Sequence, residues 1–164
     1  MTRTLQLASK LLSLAGQIDI TDDTGALAYE AKAEFQLAET RWNLLNGDVR
    51  LATLTRARWG WNRPWQIASF QGDWAIRRKL WSMSRHYTVL GGPYDGATIS
   101  GSMWDRSFTI EHKGVTLARA VNKLLSLRDV HKVEILHPDA ELLCVLALII
   151  VKDDRRNEAT SGGD

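Results

Sequence analysis

Ten consecutive residues, Leu142 to Val151 (L-L-C-V-L-A-L-I-I-V), carry no charge and no polar group beyond the thiol of Cys144. A helix of that composition is apolar on every side, so protein or lipid has to enclose it. Crossing a bilayer takes about 20 residues, which rules out a span of this length. The segment is therefore read as the plug of a protein core, a helix over residues 139–152. Asp139 is the expected N-cap, and Lys152 sits near the C-terminal end, where a cation suits the helix dipole. From Asp153 to Asp164 the chain turns polar and glycine-rich, and a disordered tail is expected there.

Upstream of the plug the pattern has a period of two and is punctuated by turns. Gln17 to Ile20, a turn at Thr21 to Gly25, and Leu27 to Ala33 read as a hairpin, with Leu27, Tyr29, Ala31 and Ala33 sharing one face. Asn46-Gly47-Asp48 joins Arg41–Leu45 to Val49–Arg56, and Asn-Gly between two such runs is a strong hairpin signal. Similar units follow at 65–79, 86–102 and 107–122, and Val130 to Leu136 leads into the plug through His137-Pro138-Asp139. With Thr4 to Ala8 as a first strand, the tally is about twelve strands and one helix over residues 1–152. An open sheet of that size leaves exposed edges, so closure into a barrel is expected. A barrel that wide has a lumen its own side chains cannot fill. The apolar helix has the length and character to fill it.

The fold class expected is therefore mainly β, a closed antiparallel barrel around one central hydrophobic helix. A chain of 164 residues suits a single domain. The one cysteine excludes an internal disulfide and favours a reducing compartment, so a cytoplasmic location, peripheral to a membrane if anything, is expected. Lys10-Leu-Leu-Ser-Leu14 recurs letter for letter as Lys123-Leu-Leu-Ser-Leu127, so the N-terminal stretch belongs to the fold and is not read as a cleaved leader. Ser13 and Ser126 recur with it, which points to bend geometry and away from a catalytic serine.

The ordered series of strand, Lys-x-x-Ser bend, Asp-x-x-Gly turn and apolar C-terminal helix resembles the LURP-one-related family in its short bacterial form. That family groups with the tubby C-terminal domain and the phospholipid scramblases. The resemblance covers about Leu5 to Asp154. It is most telling at Lys10 to Glu34, at Gly101-Ser-Met-Trp-Asp105 followed by Phe108-Thr-Ile110, and at Leu117 to Asp153. It implies a twelve-stranded barrel around a central helix, no catalytic residues and no cofactor. Tubby domains bind phosphoinositide headgroups, so kinship alone implies a lipid role here.

Where a typical member has a plainer bend, this chain has Arg58-Trp-Gly-Trp-Asn-Arg-Pro-Trp65. From Arg56 to His86 seven cations face the single acid Asp73, although the whole chain carries only +2. Tryptophan joins an apolar body to a polar N–H and suits a water–membrane boundary, and cations beside it attract anionic lipid. The candidate ligand-binding residues for lipid or another polyanion are Arg58, Trp59, Trp61, Arg63, Arg77, Arg78, Lys79, Trp81 and Arg85. The competing reading places Trp65, Trp74 and others in the core, with arginines solvated or stacked over them.

Other features carry less. His86, His112, His131 and His137 have no metal-ligand spacing, so no metal is expected. Cys144 amid Leu and Val is a protonated, inert thiol. The Asp22-Asp23 and Asp153-Asp154 pairs are expected to be solvated. The function expected is a non-enzymatic binding or scaffold module, with anionic phospholipid at a membrane surface as its partner. The alternatives are a protein-binding regulator, or a hydrolase with a site assembled across loops. Nucleic acid is disfavoured by the weak net charge, and the oligomeric state stays open.

Overall fold

The structure, a computed structural model, describes residues 2–8, 16–82, 84–101, 108–121 and 130–161. Among them twelve antiparallel strands close into one barrel in which each strand pairs with its neighbour in sequence. The strands are β1 (Arg3–Ala8), β2 (Gln17–Asp22), β3 (Leu27–Phe35), β4 (Glu39–Asn46), β5 (Val49–Ala57) and β6 (Trp65–Ser69). The other half is β7 (Gly72–Arg78), β8 (His86–Leu90), β9 (Thr98–Ser100), β10 (Thr109–His112), β11 (Val115–Ala120) and β12 (Val130–Ile135). Closure is made by β1 against β12, in a register that sets Arg3 opposite Ile135 and Ala8 opposite Val130. The strand edges that an open sheet would expose are all paired. The two Lys-Leu-Leu-Ser-Leu bends, with Ser13 and Ser126, lie outside the described residues.

Up-and-down order sorts the connections into two ends. Short hairpins such as Gly47-Asp48 lie at one end, where Gly47 takes a φ of 57°, a left-handed conformation that suits glycine. The connections after β3, β5 and β7 lie at the other end. A 3-10 turn, Pro138–Ala140, starts the return of the chain at the hairpin end, and α1 (Glu141–Ser161) threads the lumen toward the other end. Residue 137 rather than Asp139 stands at the N-cap, and no side chain caps that turn. Pro138 sets a helical φ one residue earlier than expected, which draws Asp139 into the turn.

From Leu142 to Val151 no side chain is more than 8% exposed. Inward strand residues enclose them, among them Leu5, Ile20, Leu44, Leu54, Ile76 and Val133. Burying each large plug side chain stabilises the fold by about 2 kcal/mol. The helix does not stop at 152. It runs through Ser161, so the segment expected as a disordered tail from 153 is helical over its described length. The polar residues beyond Lys152 meet charged and aromatic partners on the barrel wall, and packing of that kind sustains helix where propensity alone does not.

Candidate anion-binding mouth of the barrel

Strand alternation decides which polar side chains face the far end of the helix. Along β5 the buried row Ala52 and Leu54 continues to Arg56, and along β7 the row Trp74 and Ile76 continues to Arg78. On β4 the row Leu44 and Trp42 ends at Thr40, and on β8 the row Val89 and Tyr87 leads back to Arg85. The hydrophobic lining thus gives way to polar groups where the helix leaves the barrel.

The helix meets them with acids. Asp153 accepts from Trp42 Nε1 at 3.1 Å, from Arg56 Nη2 at 3.2 Å and from Asn157 Nδ2 at 3.0 Å. Asp154 accepts from Arg56 Nη1 at 2.5 Å and from the Tyr87 hydroxyl at 2.8 Å. Arg56 also lies over the Trp65 ring, 4.5 Å from its centroid. Glu158, one turn beyond Asp154, pairs with Arg78 at 2.7 Å and with Arg85. Asp153 and Asp154 are only 5% and 3% exposed, which corrects the expectation that this pair is solvated. Burial pushes the Asp153 carboxyl above its usual range, with Trp42 and Arg56 partly opposing the shift. Burial, followed by the Asp154 carboxylate, raises the Tyr87 phenol and keeps it protonated as a donor.

Beside this network lies a cavity of about 590 Å³ whose lining includes Arg56, Arg58, Arg63, Arg78, Asp154 and Glu158. The loop after β5 shapes it. Gly60 at φ 119° and Asn62 at φ 45° turn the chain back, and the Arg63 stem lies against Gly60, where an added Cβ would sit 3.5 Å from Arg63 Cδ. Arg58 is held by its amide, which donates to the Ala38 carbonyl at 2.9 Å, and its guanidinium lies 5.0 Å from the Phe35 ring centroid. Arg63 Nη1 is buried and has no hydrogen-bond partner among the described residues.

Of the nine residues predicted from sequence, Arg58, Arg63 and Arg78 line the cavity, and Arg85 joins them through Glu158. Arg77 points outward from β7, and Lys79 is exposed at the base of the next loop, where its amide donates to the His86 carbonyl. Trp59, Trp61 and Trp81 are 74%, 82% and 89% exposed at loop tips, whereas Trp42, Trp65 and Trp74 are core residues. The sequence prediction omitted Arg56, Asp153, Asp154 and Glu158. The i,i+4 spacing of Asp154 and Glu158 is the one signal that marks them as a single helix face.

Cys144 is fully buried, and burial pushes its thiol well above the ordinary range. Among the described residues no group of three metal-ligating side chains converges. Among them, too, no helix is long and apolar enough to cross a membrane.

A comparison with curated proteins gives no match. The chain is similar in fold to the X-ray structure of an Arabidopsis thaliana protein, with a TM-score of 0.64 at 18% identity over 94% of this chain and 91% of that one. This likeness is one of fold. The family model LURP-one-related matches residues 3–153, almost the full barrel and its helix, and the chain belongs to that family.

Proposed function

We propose that the chain is a non-enzymatic binding module that docks the helix-exit end of its barrel on anionic phospholipid at a membrane surface. The observation that supports this reading is the clustering of exposed large apolar side chains on three loops at one end. Phe35 and Leu37 stand at 83% and 79% exposure, Trp59 and Trp61 at 74% and 82%, and Leu80 and Trp81 at 44% and 89%. An apolar group of that kind rimmed by polar residues marks an interaction surface. Arg58, Arg63, Arg77 and Lys79 stand among them, and each cation near an anionic leaflet contributes about 1 kcal/mol. Indole rings favour the headgroup level, where the ring is half-buried and its N–H still meets water.

Vesicle flotation tests the reading. Vesicles of phosphatidylcholine carrying phosphatidylserine are expected to float the protein at low salt, and binding falls as salt screens the cations. Trp59→Ser with Trp61→Ser is expected to weaken flotation with no change in melting. Absence of binding at low salt, or binding indifferent to both tryptophans, rejects the lipid reading and favours a protein partner on the same loops.

A further inference from the structure

We propose that the cavity lined by Arg56, Arg58, Arg63 and Arg78 is a binding site for a phosphomonoester dianion. This site goes beyond surface docking and stands whether or not the loop tips meet a membrane.

Charge matching at the mouth leads to this ligand. Arg56, Arg78 and Arg85 are engaged with Asp153, Asp154 and Glu158 by ion pairs, so three cations and three acids offset one another. Arg58 and Arg63 are left over. Among the described residues the Arg58 side chain has only the Phe35 ring, and Arg63 has neither an ion pair nor a side-chain hydrogen bond. The cavity therefore holds an excess of two positive charges, which a dianion neutralises.

The orphan donor supports the same conclusion. A buried guanidinium N–H with no acceptor is costly, and native structures rarely leave one without a ligand or water to receive it. Arginine offers its donors as a planar fork that fits a phosphate oxygen pair, and two arginines present the fork twice. The volume of about 590 Å³ falls within the range of small-molecule sites and exceeds what an inorganic ion needs, leaving room for the esterified group. The loop after β5 is shaped to hold Arg63 there, through the left-handed turn at Gly60 and Asn62.

A phosphomonoester reaches the site either as a soluble metabolite or as the headgroup of phosphatidic acid, and two arms separate these sources. In the first, the full chain is titrated calorimetrically with glycerol 3-phosphate. In the second, it is titrated with phosphatidic acid vesicles against phosphatidylserine vesicles of matched surface charge. Saturable binding of glycerol 3-phosphate supports the site with a soluble ligand. A preference for phosphatidic acid without binding of the free ester supports it with a lipid ligand. In either case Arg63→Ala lowers affinity about tenfold or more, the loss expected for a charged hydrogen bond. Arg50→Gln, at the hairpin end, changes nothing.

If Arg63→Ala fails to fold, Arg58→Gln makes the same comparison. No binding in either arm overturns the proposal, and so does binding that both variants leave intact. Phosphatidylserine flotation that depends on Trp59 and Trp61 is read independently, so the loop-tip reading and this one can fail separately.

Discussion

Arg56 Nη1 lies 2.5 Å from Asp154 Oδ1, joining strand β5 to the helix across 98 residues of sequence. The same carboxylate receives the Tyr87 hydroxyl through its other oxygen, so a single side chain satisfies two elements of the barrel wall. Removing it strands the buried Tyr87 hydroxyl and leaves the Arg56 guanidinium with only its longer, 3.2 Å pair to Asp153. Asp154→Ala is expected to destabilise the fold by about 3 kcal/mol in urea unfolding. The combined Asp154→Leu, Arg56→Met, Tyr87→Phe variant recovers part of that loss, because Asp153, the group that then loses a partner, keeps Trp42 and Asn157 as donors. A triple variant no better than Asp154→Ala would show that the carboxylate does not act through these two partners.

Leu146 has no exposed surface and lies in the middle of the plug. Leu146→Ala leaves a cavity and is expected to cost about 3 kcal/mol, within the usual range for such truncations. Leu146→Asp places a charge where neither water nor a partner can reach it, and no cooperative melting transition is expected. A cooperative transition in the aspartate variant near that of the alanine variant would mean the helix is not enclosed.

The barrel was legible because its signals are local and repeated. Alternation in Leu27 to Ala33, Asn46-Gly47 between two apolar runs, and the unbroken apolar stretch after Leu142 each point to one element, and twelve hairpin-linked strands admit few closures. The mouth was not legible, because polar residues beyond Lys152 look like a solvated tail until their partners are known. Those partners lie on β4, β5 and β8, and no window of sequence holds Asp153 together with Trp42 or Tyr87. Composition drew notice to the arginine-rich stretch but could not divide it. Arg77 and Arg78 are neighbours in the chain, and the pleat sends one outward and the other into the mouth.

Acid titration should separate Asp153 from Glu158. Burial pushes the Glu158 carboxyl upward, but the Arg78 hydrogen bond and the Arg85 charge outweigh it and hold the group below its ordinary 4.5. Its folded form therefore binds a proton less readily than its unfolded form. The stability it supplies is complete above pH 4.5 and is lost as pH falls through the depressed folded value. Asp153 runs the other way. Its raised folded value makes the ionised form a burden that grows as pH climbs from 3.8 through that value. The stability gap between the native chain and Glu158→Gln should close on acidification. Asp153→Asn should be the more stable chain at neutral pH and lose its advantage in acid. Urea midpoints across the carboxylate range read both, and gaps independent of pH would contradict the two assignments.

The opposite end of the helix has its own clamp, and it titrates in alkali. Glu141 Oε1 receives the Tyr29 hydroxyl at 2.5 Å and Arg3 Nη1 at 2.5 Å. Burial and the bond to Glu141 push the Tyr29 phenol up from 10.0 to about 12, against the opposing pull of Arg3. The folded state thus keeps a proton that the unfolded chain gives up, and this contribution is complete below pH 10.0 and lost as pH rises through about 12. Glu141→Gln removes the negative charge that holds the proton on Tyr29. Phenolate absorbance should then show one tyrosine titrating closer to 10.0, and alkaline unfolding should lose the part of its pH dependence that Tyr29 supplies. Burial remains in that variant, so the shift is partial. A titration curve unchanged by Glu141→Gln would mean that burial alone sets the value and that Glu141 does not hold the tyrosine at the start of the plug.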